Sequence, residues 1–280
     1  AGMRNLASGV YYEYRYAGVD VGMVVKEDDL FLVDCPLRIE DSKEWLSTVS
    51  ERGVVRYLAL LDAHPDRVLG SRTFDVPLLA HDHALAEIRE WSDTFKGNQH
   101  PIGAEADRLK RVTGIHRSVP DLSFSKSAHV NLKGLEIQLE HHPGPQAGSI
   151  WVLIPSAGVV FVGDCVTLSE PPYLGAADLT AWQKCLDRLR ESSMESFTVV
   201  SAYGGPLERE HINSMARFLR KVEVRVGKLE EDPDPEASAD RYAAELLEDF
   251  PGQPTRSDMF HLRLKMGLLD LFEHIKAGEA

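Results

Sequence analysis

Apolar residues gather early in the chain into short, dense runs separated by polar turns. Residues 10–16 (VYYEYRY) are aromatic and β-rich, and residues 21–25 (VGMVV) form a brief apolar strand. Residues 30–33 (LFLV) follow a turn at Glu27-Asp28-Asp29 and stop at Asp34-Cys35-Pro36. The period then lengthens: residues 41–50 place Trp45, Leu46 and Val49 on one helical face, with Asp41 or Ser42 as N-cap. Residues 54–61 (VVRYLALL) are almost continuously apolar, as expected of a strand covered on both faces. Residues 77–80 repeat this on a smaller scale, 84–91 read as a helix, and 105–112 are predicted helical within a weakly patterned stretch.

Strands return at 135–139, 149–154 (SIWVLI) and 159–162 (VVFV), the last two joined by a turn at Ser156-Ala157-Gly158. Residues 179–189 are helical with Asp178 as cap, and 197–201 (FTVVS) are the last clear strand. Beyond residue 207 the pattern predicts helices only, over 207–226, 239–249 and 258–276, hinged at the acidic EEDPDP run of 230–235. That run reads as solvated surface. No repeat of solenoid period and no low-complexity tract is present.

Composition narrows the partners. The 280 residues hold 31 Lys+Arg against 44 Asp+Glu, a net charge of −13, which argues against sequence-independent binding to nucleic acid and against an anionic membrane. A small molecule or another protein is the expected partner. Cys35, Cys165 and Cys185 are odd in number and lack C-x-x-C spacing, so a reducing compartment is expected. No apolar run approaches the ~18–20 residues of a membrane span. The start, Ala1-Gly2-Met3-Arg4, lacks a signal-peptide pattern, and Ala1-Gly2 reads as added ahead of Met3. A cytoplasmic location is the expectation.

The chemistry sits at strand ends. Asp62-Ala63-His64-Pro65-Asp66-Arg67 follows one buried strand, residues 141–149 (HHPGPQAGS) lie between two, and Gly163-Asp164-Cys165 follow another. A carboxylate or imidazole there is rigidly held at a solvent-facing rim, where α/β-type folds place working groups. With Asp34 ending the LFLVD strand, this order resembles the metallo-β-lactamase superfamily, the glyoxalase II-like metallohydrolases. In dinuclear members of that family the three loops read H-x-H-x-D-H, P-G-H-T and G-D, and a late H-G pair follows. The resemblance covers about residues 10–205, with Tyr203-Gly204 where the late H-G stands.

The resemblance implies seven metal-ligand positions, of which this chain keeps three: His64, Asp66 and Asp164. Asp62 is a possible replacement, whereas Arg67, Pro145 and Tyr203 stand where histidines are expected. One metal position would retain Asp62, His64 and Asp164, an oxygen-rich set suited to Mn²⁺, Fe²⁺ or Zn²⁺. The other would retain only Asp66 and Asp164, and Arg67, permanently charged, cannot coordinate but can neutralise carboxylates. Asp66, Arg67 and Tyr203 are the residues that would act on a substrate beside that metal.

Plainer readings stand beside these. His64 reads equally as ligand or structural histidine, and Asp164 equally as ligand or as a carboxylate kept by Arg67 and loop N–H groups. Asp34 is expected to anchor a turn or orient the His64 loop. His141 and His142 would need a remade loop to replace the missing ligand, His81 and His83 are expected on the surface or as N-caps, and Cys165 as a small core residue. Tyr203 donates to a ligand or fills a lost imidazole's volume.

The expected architecture is a four-layer αββα sandwich over residues 3–206, with a helical C-terminal extension over 207–280 packed on it. A pocket is expected at one edge, formed by loops 62–67, 142–148, 164–175 and 203–206, with Pro171-Pro172-Tyr173-Leu174 as its apolar wall. Two functions of different class follow. One is a metal-free or metal-poor member that binds a small molecule or regulates; the other is a mono-metal hydrolase of an ester, lactone or thioester. The implied cofactor is therefore none or one divalent ion (Zn, Mn or Fe), and the apolar faces of the C-terminal helices could serve a homodimer.

Overall fold

The computed structural model describes residues 2–97, 99–110 and 113–278. The chain opens with β1 (Arg4–Ala7), β2 (Val10–Glu13), β3 (Val21–Lys26) and β4 (Asp29–Val33), an antiparallel meander. Helix α1 (Ile39–Ser50) crosses to β5 (Val54–Ala59), parallel to β4, and the short α2 (Pro65–Val68) leads towards β6 (Leu78–His81) and α3 (Asp82–Glu90). A two-stranded ribbon, β7 (Thr94–Phe95) with β8 (Ile115–His116), stands apart, and β9 (Leu122–Phe124) completes a seven-stranded sheet in the order β1-β2-β3-β4-β5-β6-β9. The second sheet runs in sequence order through β10 (Ser127–Leu132), β11 (Leu135–His141), β12 (Ile150–Ile154), β13 (Val159–Gly163), β14 (Thr198–Ser201) and β15 (Gly205–Leu207). Helix α4 (Leu179–Leu189) connects β13 to its parallel neighbour β14, and α5 (Arg209–Leu229), α6 (Pro235–Leu247) and α7 (Ser257–Lys276) follow.

Three apolar clusters correspond to the three interfaces of four layers. Phe31 and Val33 of β4 meet Ile150, Val152 and Ile154 of β12 and Val159 and Phe161 of β13 between the sheets. The alternate residues Leu30 and Leu32 face outward onto Trp45 and Val49 of α1 and Ala84 and Ile88 of α3. Trp151, Leu153, Val160 and Val162 face the other way, onto α4 through α7. Strand side chains alternate between faces, so a strand with a covering layer on each side must be apolar at every position. That is the physical reason for the LFLV, IWVLI and VVFV runs, and the chain folds as the expected αββα sandwich.

Several expectations are corrected. β5 is covered on both faces only at its end: Val54 is half exposed and Arg56 pairs with Asp29 at 2.8 Å. Neither Asp41 nor Ser42 caps α1, which starts earlier, after Arg38; Ser42 is buried and donates its hydroxyl to Pro36 O at 2.8 Å. Leu207 belongs to β15, because the chain first pairs back along β14, so α5 begins at Arg209 and not at residue 207. Among the described residues 105–110 the chain forms a 3₁₀ turn (Glu105–Arg108) in place of the expected helix, and Arg111 and Val112 lie outside the described residues. The Asp178 cap of α4 is as expected, its carboxylate accepting from Ala181 N at 2.8 Å. No described helix is long and apolar enough to cross a membrane.

Candidate functional site

The first loop folds on its own side chains. Asp62 Oδ1 accepts from His64 N at 2.8 Å, and His64 Nδ1 accepts from Asp66 N at 3.1 Å, capping α2 with Pro65 in its first turn. That cap turns Arg67 inward. Its guanidinium, fully buried, faces three carboxylates: NH1 to Asp62 Oδ1 at 2.7 Å, NH2 to Asp164 Oδ1 at 2.8 Å and Nε to Asp34 Oδ1 at 3.1 Å. Only the Asp164 contact also has hydrogen-bond angles; Nε and NH1 hold their partners by charge.

Asp34 does the anchoring expected of it. At the end of β4 it takes a left-handed conformation (φ +58°), tolerable for aspartate, and its Oδ1 accepts from Leu61 N at 3.0 Å. Asp164 follows Gly163, whose φ of +59° turns the chain at the end of β13. One guanidinium against three buried carboxylates leaves two negative charges uncompensated if all ionise (3 − 1 = 2). Burial accordingly pushes Asp34 and Asp164 each up to about 6, against the pull of Arg67. Burial also works against the charge on Arg67, but Asp164, Asp34 and Asp62 together hold its pKa well above the usual arginine value.

Asp66 turns away from this group. It accepts from Glu105 N (3.2 Å) and Ala106 N (2.8 Å), and from the Tyr173 hydroxyl at 2.8 Å. The pairing of Arg67 is thus with Asp164, Asp62 and Asp34, and Asp66 serves the turn at residues 105–108. Tyr173, from the expected apolar wall, packs against His64 with ring centroids 3.9 Å apart and the planes tilted by 35°. Behind it Arg263 of α7 lies 4.1 Å over the Tyr173 ring, with NH1 to Glu170 Oε1 at 2.7 Å and to Pro171 O at 2.8 Å, and Nε to Gly103 O at 3.0 Å. Arg256 reaches the same Glu170 at 3.0 Å and also pairs with Glu105. Tyr203 is buried, and its hydroxyl has no partner among the described residues.

The second loop supports the first. Gln146 Oε1 accepts from Ala63 N at 3.2 Å. Gly144 lies so close to α4 that a Cβ would sit 2.8 Å from Trp182 Cα, so only glycine fits there. Asp62, His64, Asp66, Arg67, Asp164 and Tyr203 are each at most 6% exposed. The loops therefore close on one another where an open pocket was expected. Among the described residues no group of three or more His, Cys, Asp or Glu side chains is placed to hold a metal ion.

The other histidines take local roles. His142 stacks on Trp151 (3.7 Å), and His141 on His81 (3.6 Å). His81 caps α3 through Nδ1, accepting from His83 N at 3.0 Å, while its Nε2 meets Ser125 O at 2.7 Å; it is buried, and not on the surface. The cap needs Nδ1 unprotonated. Burial, then the neighbouring imidazoles, lower the pKa values of His81 and His141 below the ordinary ~6.5. A lowered histidine pKa means the unfolded chain binds protons first, so this stability is present above ~6.5 and is lost as pH falls through that value. His81→Asn keeps a capping oxygen without the proton. Its urea midpoint should therefore fall less than the wild type's between about pH 7 and pH 5.5; an equal fall removes His81 as a cause.

Arg263, Glu170 and Glu105 were not anticipated. One signal was available: Arg263 lies in register with Phe260, Leu264, Gly267 and Leu271 on the apolar stripe of α7, where a charged residue needs a buried partner.

Comparison with known proteins matches this architecture. Residues 16–193 fit the family model described as metallo-beta-lactamase superfamily. No curated protein matches the chain. Among solved structures, a metallo-beta-lactamase from Pontibacter korlensis superposes with a TM-score of 0.59 at 17% identity, over 78% of this chain and 98% of that one. A metallo-beta-lactamase from Erythrobacter litoralis gives 0.57 at 17%, over 78% and 96%. The stereoselective inverting sec-alkylsulfatase Pisa1 from Pseudomonas sp. gives 0.67 at 15%, covering 98% of this chain, which spans half the length of that enzyme. At such identities these structures speak for the fold alone. With its family model matched across more than half the length, on the strands that carry the three loops, the chain belongs to the metallo-β-lactamase superfamily.

Proposed function

We propose that this chain is a metal-independent member of its superfamily, a binding or regulatory protein whose former metal centre is now a structural charge cluster. The observation that carries this reading is the position of Arg67. Its guanidinium engages Asp62 and Asp164, two of the three side chains that the family resemblance would give a single ion, within 2.8 Å. A divalent cation sharing those oxygens would stand near a fixed positive charge. At ~4 Å and an effective dielectric of ~20, that repulsion is on the order of 8 kcal/mol. The donor set does not fit the family's metal. With Tyr173 over His64, small molecules are left the surface grooves, such as one of about 540 Å³ on the outer side of the same loop, lined by Pro65, Leu69, Trp91 and Phe95.

The alternative, a mono-metal hydrolase, has one observation in its favour: His64 Nε2 is buried without a hydrogen-bond partner. Metal analysis of the purified protein separates the two. The expected result is no stoichiometric Zn, Mn or Fe, and an unfolding midpoint unmoved by EDTA or by added Zn²⁺ or Mn²⁺, since an ion bound to the native state must raise it by mass action. One ion per chain that disappears in Asp164→Ala, with ester or lactone hydrolysis lost alongside, overturns the proposal.

A further inference from the structure

A groove of about 430 Å³ runs beside α5 and shares no lining residue with the Arg67 cluster. Three segments wall it: α5 itself, Thr167-Leu168 in the loop after β13, and Asp249-Phe250 after α6. The loop wall is pinned on both sides. Leu168 N donates to Tyr203 O at 3.0 Å, and Gln253 Nε2, just beyond Phe250, donates to Ser169 O at 2.7 Å. On α5, His211, Ser214, Met215, Phe218 and Lys221 stand at i, i+3, i+4, i+7 and i+10, so they share one stripe of the helix. Met215 and Phe218 are buried, and Phe250 meets Phe218 edge-on with ring centroids 5.1 Å apart.

Hydrogen-bond donors outnumber acceptors along this groove. His211 Nδ1 accepts from Glu208 N at 2.9 Å, so the neutral ring carries its proton on Nε2. Ser214 Oγ accepts from Arg217 NH2 at 3.0 Å and keeps its own proton to give. Thr167 is 6% exposed, and its buried hydroxyl has no hydrogen-bond partner among the described residues, which costs free energy until something accepts from it. The two cations have only loose partners: Arg217 meets Glu210 at 2.7 Å and Lys221 meets Asp249 at 2.8 Å, in pairs that reach solvent and so hold weakly. The lining residues carry two positive charges, Arg217 and Lys221, and one negative, Asp249. That local surplus of one (2 − 1 = 1) stands in a chain whose total is −13.

We propose that this groove is a binding site for a monocarboxylate with an apolar body. The carboxylate takes hydrogen bonds from Arg217 and Lys221 in exchange for their exposed partners, and the apolar body covers Leu168, Phe218 and Phe250. Thr167 gives its unused hydroxyl to the same ligand. A surplus of one charge selects a monoanion: a dianion such as a phosphate monoester adds repulsion from Asp249 without meeting a further cation. A groove of this size admits a small organic ligand. The site is separate from Asp62, His64 and Asp164, so it holds whether or not that centre takes a metal.

The test titrates the full EDTA-treated chain with octanoate, kept below its micelle concentration, by calorimetry. The expected result is a single saturable site, with octanol and acetate roughly tenfold weaker or more, because each lacks one half of the match. Methyl resonances of Leu168 and Met215 should shift most on binding. Lys221→Gln and Arg217→Gln should each weaken octanoate about tenfold. Thr167→Val should weaken it severalfold and leave the unfolding midpoint of the free protein unchanged or higher, since the hydroxyl it removes has no partner there. Octyl phosphate should bind no more tightly than octanoate. The proposal is overturned by a lack of saturable binding, by tighter binding of octyl phosphate, or by an octanoate affinity that Lys221→Gln and Thr167→Val both leave unchanged.

Discussion

Arg67→Met is expected to lower the stability of this protein by about 3–5 kcal/mol, because it removes the cation from three buried carboxylates. For a chain of this size each kcal/mol moves the midpoint by ~2–4 °C, so a fall on the order of 10 °C should be seen in thermal denaturation. Arg67→Lys should recover only part of the loss, since one ammonium cannot reach the three oxygens that the guanidinium fork spans. Adding Asp62→Asn and Asp164→Asn to Arg67→Met should recover most of it, because two of the three carboxylates left unpaired are then neutral. The variant also carries a pH signature. Asp34 and Asp164 have raised folded-state values, so their contribution is greatest below the unfolded pKa of ~3.9 and is lost as pH rises through the folded value. Without Arg67 those folded values should rise further, so the loss should extend to higher pH, making the variant relatively more stable at about pH 5 than at pH 7. A midpoint within ~2 °C of wild type would mean the cluster carries no such energy.

Arg263→Met should be the second large effect, again about 3–5 kcal/mol by urea denaturation. The guanidinium is buried, and its removal leaves Glu170 without its 2.7 Å partner and two backbone carbonyls, Gly103 O and Pro171 O, without donors. Arg256 still reaches Glu170, so the carboxylate is not wholly abandoned, and Arg256→Met should be milder. Arg263 also lies over Tyr173, whose hydroxyl meets Asp66, and Asp66 holds the Glu105 and Ala106 amides. Loosening Tyr173 should therefore raise hydrogen exchange at Glu105 and Ala106, well away from the substitution in sequence. Unchanged exchange there, with global stability lowered, would show that α7 supports the fold without bracing the strand-end loops.

Much of the fold was legible because burial leaves a direct mark on a chain. A strand covered on two faces must be apolar throughout, and that alone located β4, β12 and β13. Edge strands such as β1, β10 and β15 were missed, since pairing by backbone hydrogen bonds asks little of their side chains. The site was half legible. Asp62, His64, Asp164 and Arg67 could be picked out from strand-end position and resemblance, and the pairing of Arg67 with Asp164 along with them, but the other partners could not. Asp66 is next to Arg67 in sequence yet serves a turn some forty residues on, whereas Asp34 and Asp164, distant in sequence, meet the guanidinium.

The sequence by itself determined most of the strands and helices, through the period and density of its apolar runs, and which side chains the three loops hold; the layered sandwich was what the family resemblance implied. It also showed that the loops carry an arginine and a tyrosine where relatives have imidazoles. Only the tertiary structure decided what those residues do. The capping of α2 by His64 turns Arg67 inward, and α7, more than a hundred residues downstream, sets Arg263 behind Tyr173. A charge is neutralised by whichever opposite charge lies nearest in space, and that distance is set by how the layers pack and not by spacing along the chain.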